Sequence, residues 1–195
     1  MGKRFSAVTA AILCLAFLLP TVSARAEENV PATATNNMIV VSNGTEAPDA
    51  HPVHPAVYKI GGSNYFKLRD LAMLLNGSGR QFSVDYDDAS KSVSITTGEP
   101  YAAVGGELTG SAAERCGAAV SNDVVLINGD PAALTVYKID GANYFKLRDL
   151  GKALDFHVGY DDESKIVYIS GARGYEEENR PEGGAPAQTD ASDPH

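Results

Sequence analysis

The chain has no tryptophan, two cysteines and four histidines. So few cysteines exclude a disulfide scaffold. Basic residues are scarce: 16 Lys+Arg stand against 25 Asp+Glu, a formal charge of −9. That balance argues against nucleic acid, which needs a concentrated basic surface, and against docking on anionic lipid. No Gly-x-Ser-x-Gly, Ser-x-x-Lys or Cys/His pairing marks a nucleophile. Gly77-Ser78-Gly79 and Gly105-Gly106 precede no Lys-Ser/Thr, so neither is a phosphate loop. The longest apolar run, Ala7 to Leu19 broken only by Thr9, is too short to cross roughly 30 Å of hydrocarbon at 1.5 Å per residue.

What is present is globular. Hydrophobic residues at 44% and charged residues at 21% exclude wholesale disorder, and 195 residues suit one ordinary domain or two small ones. Lys3 and Arg4, the apolar run, Pro20 and the small residues around Ala24-Arg25-Ala26 form the three parts of a secretory signal, with cleavage expected after Ala26. Leu13 before Cys14 is too bulky for lipoprotein processing. Removing residues 1–26 takes Lys3, Arg4 and Arg25 and no acid, leaving 13 of the 16 bases and one cysteine, Cys116. Packing alone must then hold the exported chain.

The sequence repeats. Tyr58 to Leu71 and Tyr137 to Leu150 differ only at Gly61/Asp140 and Ser63/Ala142. After a loop that differs by five residues, Phe82 to Asp88 corresponds to Phe156 to Asp162. Within each copy the periodicity changes in order. Ile39–Val41 and Val124–Ile127 are apolar β-branched runs, and Val57–Ile60 alternates into a Gly61-Gly62 turn. Leu68, Leu71, Ala72 and Leu75, matched by Leu147, Leu150 and Leu154, have helical spacing. Phe82-Val84-Tyr86 with Val93-Ile95, and Phe156-Val158-Tyr160 with Val167-Ile169, read as hairpins. The expected fold class is α+β: two repeated units, each a short helix on a twisted sheet of about five antiparallel strands.

The expected organisation is a signal at 1–26, a disordered leader at 27–37, a first repeat at 38–101 and a connector at 102–123. A second repeat at 124–171 and a disordered acidic tail at 172–195 complete it.

The block Tyr65-Phe66-Lys67-Leu68-Arg69-Asp70-Leu71-Ala72, followed by Phe82 to Asp87 and Val93-Ser94-Ile95, resembles the N-terminal-like or stalk domain of copper amine oxidases. Tyr144 to Leu150, Val158 to Asp161 and Ile166 to Ile169 resemble it again. The resemblance spans about 38–171. It implies a five-stranded antiparallel sheet around one helix and an accessory role remote from copper. Similar domains in many bacteria occur in exported proteins without an oxidase domain.

The oxidase chemistry does not carry over. Its quinone cofactor matures from a tyrosine in an Asn-Tyr-Asp/Glu-Tyr setting, whereas Asn64-Tyr65 and Asn143-Tyr144 are followed by Phe-Lys. Tyr65 and Tyr144 therefore read as core-edge aromatics. His51 and His54 beside Asp49 could hold a metal only with a third ligand and otherwise form an exposed proline-rich loop. Asp85, Asp87 and Asp88, like Asp161, Asp162 and Glu163, lack calcium-loop order and suit turn closure. No catalytic, cofactor-binding or metal residue is assigned, and no cofactor is expected. Cys116 reads as a dispensable connector thiol, with an intermolecular disulfide as the alternative. Arg69 and Arg148 are expected to clasp Asp87 and Asp161, tying helix to hairpin.

The functional expectation is a noncatalytic secreted or cell-surface module that spaces or docks other components. A wall-polymer or glycan binder is the alternative, favoured by nine tyrosines and weakened by the missing tryptophan. An unknown protein or cell-wall partner is expected, without nucleic acid or a membrane span, and weak self-association is left open.

Overall fold

The computed structural model describes residues 29–43, 53, 55–109 and 112–175. The signal segment, His51 and His54 lie outside them. In chain order, β1 (Asn29–Ala34), β2 (Met38–Ser42), β3 (Val57–Ile60) and β4 (Ser63–Lys67) lead into helix α1 (Leu68–Leu74). Strands β5 (Phe82–Asp87) and β6 (Ser92–Thr97) follow. The second half repeats the order. It runs β7 (Arg115–Val120), β8 (Val124–Ile127), a two-residue β9 (Asp130–Pro131), β10 (Val136–Ile139), β11 (Ala142–Lys146), α2 (Leu147–Leu154), β12 (His157–Asp161) and β13 (Ile166–Ser170).

The two halves do not form separate helix-on-sheet units. Strands β1, β3, β4, β11, β10 and β7 close one antiparallel barrel shared by both halves. Its two seams are symmetric. Across β4–β11, Phe66 faces Phe145, with Tyr65 opposite Lys146 and Lys67 opposite Tyr144. Across β1–β7, Pro31 faces Gly117, with Asn29 opposite Ala119 and Thr33 opposite Arg115. Each seam thus joins equivalent positions of the two copies, and each copy supplies the other's missing edge.

The flanking sheets are exchanged as well. The hairpin β5–β6 is extended by β8, which precedes the second copy, and β12–β13 by β2, which precedes the first. Both additions are parallel and in matching register: Val93 opposite Val125, and Val167 opposite Ile39. The expected α+β pair of five-stranded units is therefore corrected to a mostly β body, a six-stranded barrel with one three-stranded and one four-stranded sheet. The physical reason is that a lone hairpin with one short helix leaves a sheet edge and an apolar face uncovered, and the other copy covers both.

Two segments read as irregular are barrel strands. Asn29–Ala34, placed in the disordered leader, is β1, and Arg115–Val120, placed in the connector, is β7. Their small residues are what the position requires. Ala32 and Ala118 point into a barrel already filled by Tyr58, Tyr65, Tyr144, Ile60 and Ile139. Tyr58 meets Tyr144 edge to face at 5.4 Å, and their repeat mates Tyr137 and Tyr65 meet at 5.2 Å. Cys116 lies in β7, half-buried against this cluster, rather than in a connector.

Outside the barrel, Phe66 and Phe145 are fully buried beneath the helices. Each stabilises the fold by roughly 1.5–3 kcal/mol through apolar burial. The helices have seven and eight residues, and neither has a side-chain cap at its start. Helices so short are marginal alone; burial of Leu68, Leu71 and Leu74, and of Leu147, Leu150 and Leu154, holds them in place. The Gly61-Gly62 and Asp140-Gly141 turns have positive φ at both positions, a geometry that aspartate tolerates, so the Gly61/Asp140 difference leaves the hairpins alike.

Candidate functional site

The exchange of strands creates two equivalent grooves. One lies between the start of α1 and the β10–β11 turn. It is lined by Lys67, Leu68 and Arg69 from the first copy and by Lys138, Gly141 and Asn143 from the second. Its mate lies between the start of α2 and the β3–β4 turn, where Lys146, Leu147 and Arg148 face Lys59, Gly62 and Asn64. Val84, Tyr86 and Val93 floor the first groove, and Val158, Tyr160 and Val167 the second. Each groove therefore carries three cations of the repeated pattern, although the chain as a whole is acidic.

Their sizes differ, at about 560 Å³ against about 170 Å³. The chain after β6 contributes the difference, because Gly105, Gly106 and Glu107 wall the first groove and the second has no such wall among the described residues. Five side chains hold this wall. Asn76, in the loop that only the first copy has, accepts from Tyr101 N at 3.0 Å and donates to its carbonyl at 3.1 Å. The Tyr101 hydroxyl donates to Glu107 at 2.6 Å, and the amides of Val104 and Gly105 donate to the same carboxylate at 3.0 and 2.9 Å. Lys67 Nζ donates to Gly106 O at 2.9 Å, and Asp70 accepts from Leu108 N at 3.0 Å.

The electrostatics follow from these bonds. Three donors, the Tyr101 hydroxyl first, hold Glu107 ionised down to about 2. Burial, reinforced by the Glu107 charge, pushes the Tyr101 phenol up. Asp70 is fully buried, and desolvation raises its carboxyl despite the Leu108 amide and the Lys67 ammonium at 3.3 Å. Its counterpart Asp149 keeps 45% exposure beside Lys146 at 3.2 Å, since no such wall covers it among the described residues. Asp70 is a perturbed acid, yet it has no exposed surface from which to reach a ligand. Its work is to fasten the wall.

The remaining groove charges are mostly committed. Lys138 pairs with Asp123 at 3.1 Å and sits 5.9 Å from the Tyr86 ring centre. Burial opposes ionisation of Asp123, but hydrogen bonds from Asn143 and Lys138 leave its carboxyl below the usual range. Lys91 pairs with Asp88. Arg69 lines the groove without a hydrogen bond or ion pair to any described residue.

That finding corrects the expected arginine clasp. No ion pair joins Arg69 to Asp87 or Arg148 to Asp161 among the described residues. Asp87 instead accepts from Ala89 N at 2.9 Å and from the Ser90 hydroxyl at 2.8 Å, and Asp161 from Glu163 N at 2.9 Å. Each aspartate is consumed by its own turn. Asp85 accepts from Tyr86 N, while Asp88 and Asp162 pair with Lys91 and Lys165. No cluster of three or more His, Cys, Asp or Glu suited to a metal occurs among the described residues. Ser78, between Gly77 and Gly79, is buried and bonds Leu75 O at 2.6 Å.

Reading the sequence missed Glu107, Lys138 and Asn143 as groove residues. The doubled Asn-Tyr-Phe-Lys-Leu-Arg-Asp block signals two equivalent surfaces, but not that each copy completes the other's.

No protein-family model, curated protein or solved structure matches this chain.

Proposed function

We propose that the chain is a noncatalytic exported or cell-surface interaction module, related to the stalk domains that Tyr65–Ala72 and Tyr144–Leu150 resemble. The observation that carries this reading is the pair of cation-lined grooves on an acidic chain, one deepened by a strap fastened through Asn76, Tyr101, Glu107 and Asp70. The acids around the deep groove serve that strap or pair with neighbouring lysines, which supports a surface for docking rather than for proton transfer. Among the described residues no helix is long and apolar enough to cross a membrane. The glycan-binding alternative is favoured by one feature, the apolar floor of Val84, Tyr86 and Val93 beneath the cations.

Expression of the whole chain in a bacterial host tests the reading. The protein should leave the cytoplasm with a new N-terminus at Glu27, and isolated envelope should retain it in a salt-sensitive manner. Retention in the cytoplasm with residues 1–26 attached would reject export. Peroxide release from amines by the copper-loaded protein would reject the noncatalytic part.

A further inference from the structure

We propose that the deep groove binds an anionic sugar unit, a pyranose ring carrying one acidic group, with Arg69 as its anion-recognising residue. The inference rests on reading the groove as a docking surface and names what docks there. Two kinds of contact converge. Among the described residues Arg69 makes no hydrogen bond or ion pair, whereas Lys67, Lys91 and Lys138 each hold an aspartate. A half-buried guanidinium with five donors and no acceptor is suited to a bidentate oxyanion. Leu68, Val84, Val93 and Tyr86 give an apolar floor for the C–H face of a ring. The cavity of about 560 Å³ falls within the roughly 300–1,000 Å³ of small-ligand clefts.

The second groove serves as an internal control. Arg148 stands there in the place of Arg69. At about 170 Å³ and without the strap, it encloses too little of a sugar ring to bind it well.

Calorimetric titration of the purified chain with trigalacturonate, glucose 6-phosphate, maltotriose and inorganic phosphate tests the proposal. One or both anionic sugars should bind at low salt and weaken as salt rises. The one that binds identifies the acidic group as carboxylate or phosphate. Arg69→Gln should weaken binding by about tenfold or more, the usual worth of a charge-assisted hydrogen bond. Arg148→Gln should leave it unchanged, and Tyr86→Leu should weaken it with the fold intact by circular dichroism. Failure of both anionic sugars to bind at millimolar concentration would overturn the proposal. So would equal binding of maltotriose, equal binding of inorganic phosphate, or an unchanged affinity in Arg69→Gln. Any of these could occur while the protein is still exported and retained by envelope, so the broader reading is judged separately.

Discussion

The two grooves share a repeated sequence and a common geometry, yet one is more than three times the volume of the other. Lys67-Leu68-Arg69 and Lys146-Leu147-Arg148 occupy equivalent places, as do Lys138 and Lys59 across from them. The residues that distinguish the grooves lie outside the repeat, in a strap held by its own Glu107, by Lys67 and Asp70 at the start of α1 and by Asn76 in the first copy's longer loop. Duplication supplied a symmetric frame, and the connecting chain broke the symmetry. The second copy diverged differently. Its helix turns straight into β12 through the left-handed Asp155, so Phe156 and Val158 crowd the helix where the first copy has its longer loop. Gly151 stands there in place of Ala72.

Where the copies are equivalent, matched substitutions should cost the same. Phe66→Ala and Phe145→Ala each remove a fully buried ring at the seam, and each should destabilise the protein by about 3–5 kcal/mol in chemical denaturation. A difference of several kcal/mol between them would break the symmetry argument.

Where the copies differ, matched changes should diverge. A Cβ on Gly151 would sit 2.7 Å from Val158 Cγ2 and 3.1 Å from the Phe156 carbonyl. Gly151→Ala should therefore cost about 1–3 kcal/mol through overpacking, although alanine is the better helix former and already occupies position 72. A stabilised variant would show that the β12 approach relaxes freely.

Asp70→Ala strands the Leu108 amide and frees Lys67, whereas Asp149→Ala removes a half-exposed pair. The first should cost about 1 kcal/mol, at the low end for a lost buried acceptor because burial already disfavours the Asp70 carboxylate. The second should stay within about 0.5 kcal/mol. Equal losses would remove the strap from the explanation.

The smallest effect is in pH. Glu107 titrates near 2 in the folded chain against an ordinary 4.5, so its contribution is complete above 4.5 and is lost as pH falls toward 2. Exchange of the Val104 and Gly105 amides should accelerate across that window, and Glu107→Gln should abolish the acid dependence. Protection that is flat with pH would mean that Glu107 does not fasten the strap.

The local elements were written in the sequence and their partners were not. Leucines at 68, 71 and 75 gave a helix by spacing, and Phe82-Val84-Tyr86 with Val93-Ile95 gave a hairpin by alternation. Periodicity is local, so it carries no record of whether Val125 packs beside Val167 of its own copy or Val93 of the other. The leader and connector strands escaped for another reason. Ala32 and Ala118 are small because four tyrosine rings crowd the barrel, and small residues in sequence look the same as a linker. The Lys-Leu-Arg-Asp block was legible as architecture, but its weight was misassigned. Lysine and aspartate hold the fold, and the arginine is left facing the groove.

The parallel pairing of β2 with β13 also has a mechanical consequence. Met38 lies beside Ile166 and Ser42 beside Ser170, so the chain enters this pair at one end and leaves at the other. Tension applied between positions 35 and 175 would pull the two strands past each other lengthwise. All five rungs would be loaded together rather than unzipped singly. A pull that enters at position 35 and leaves at position 175 would meet this pair in its strongest geometry, as a clasp in line with the load.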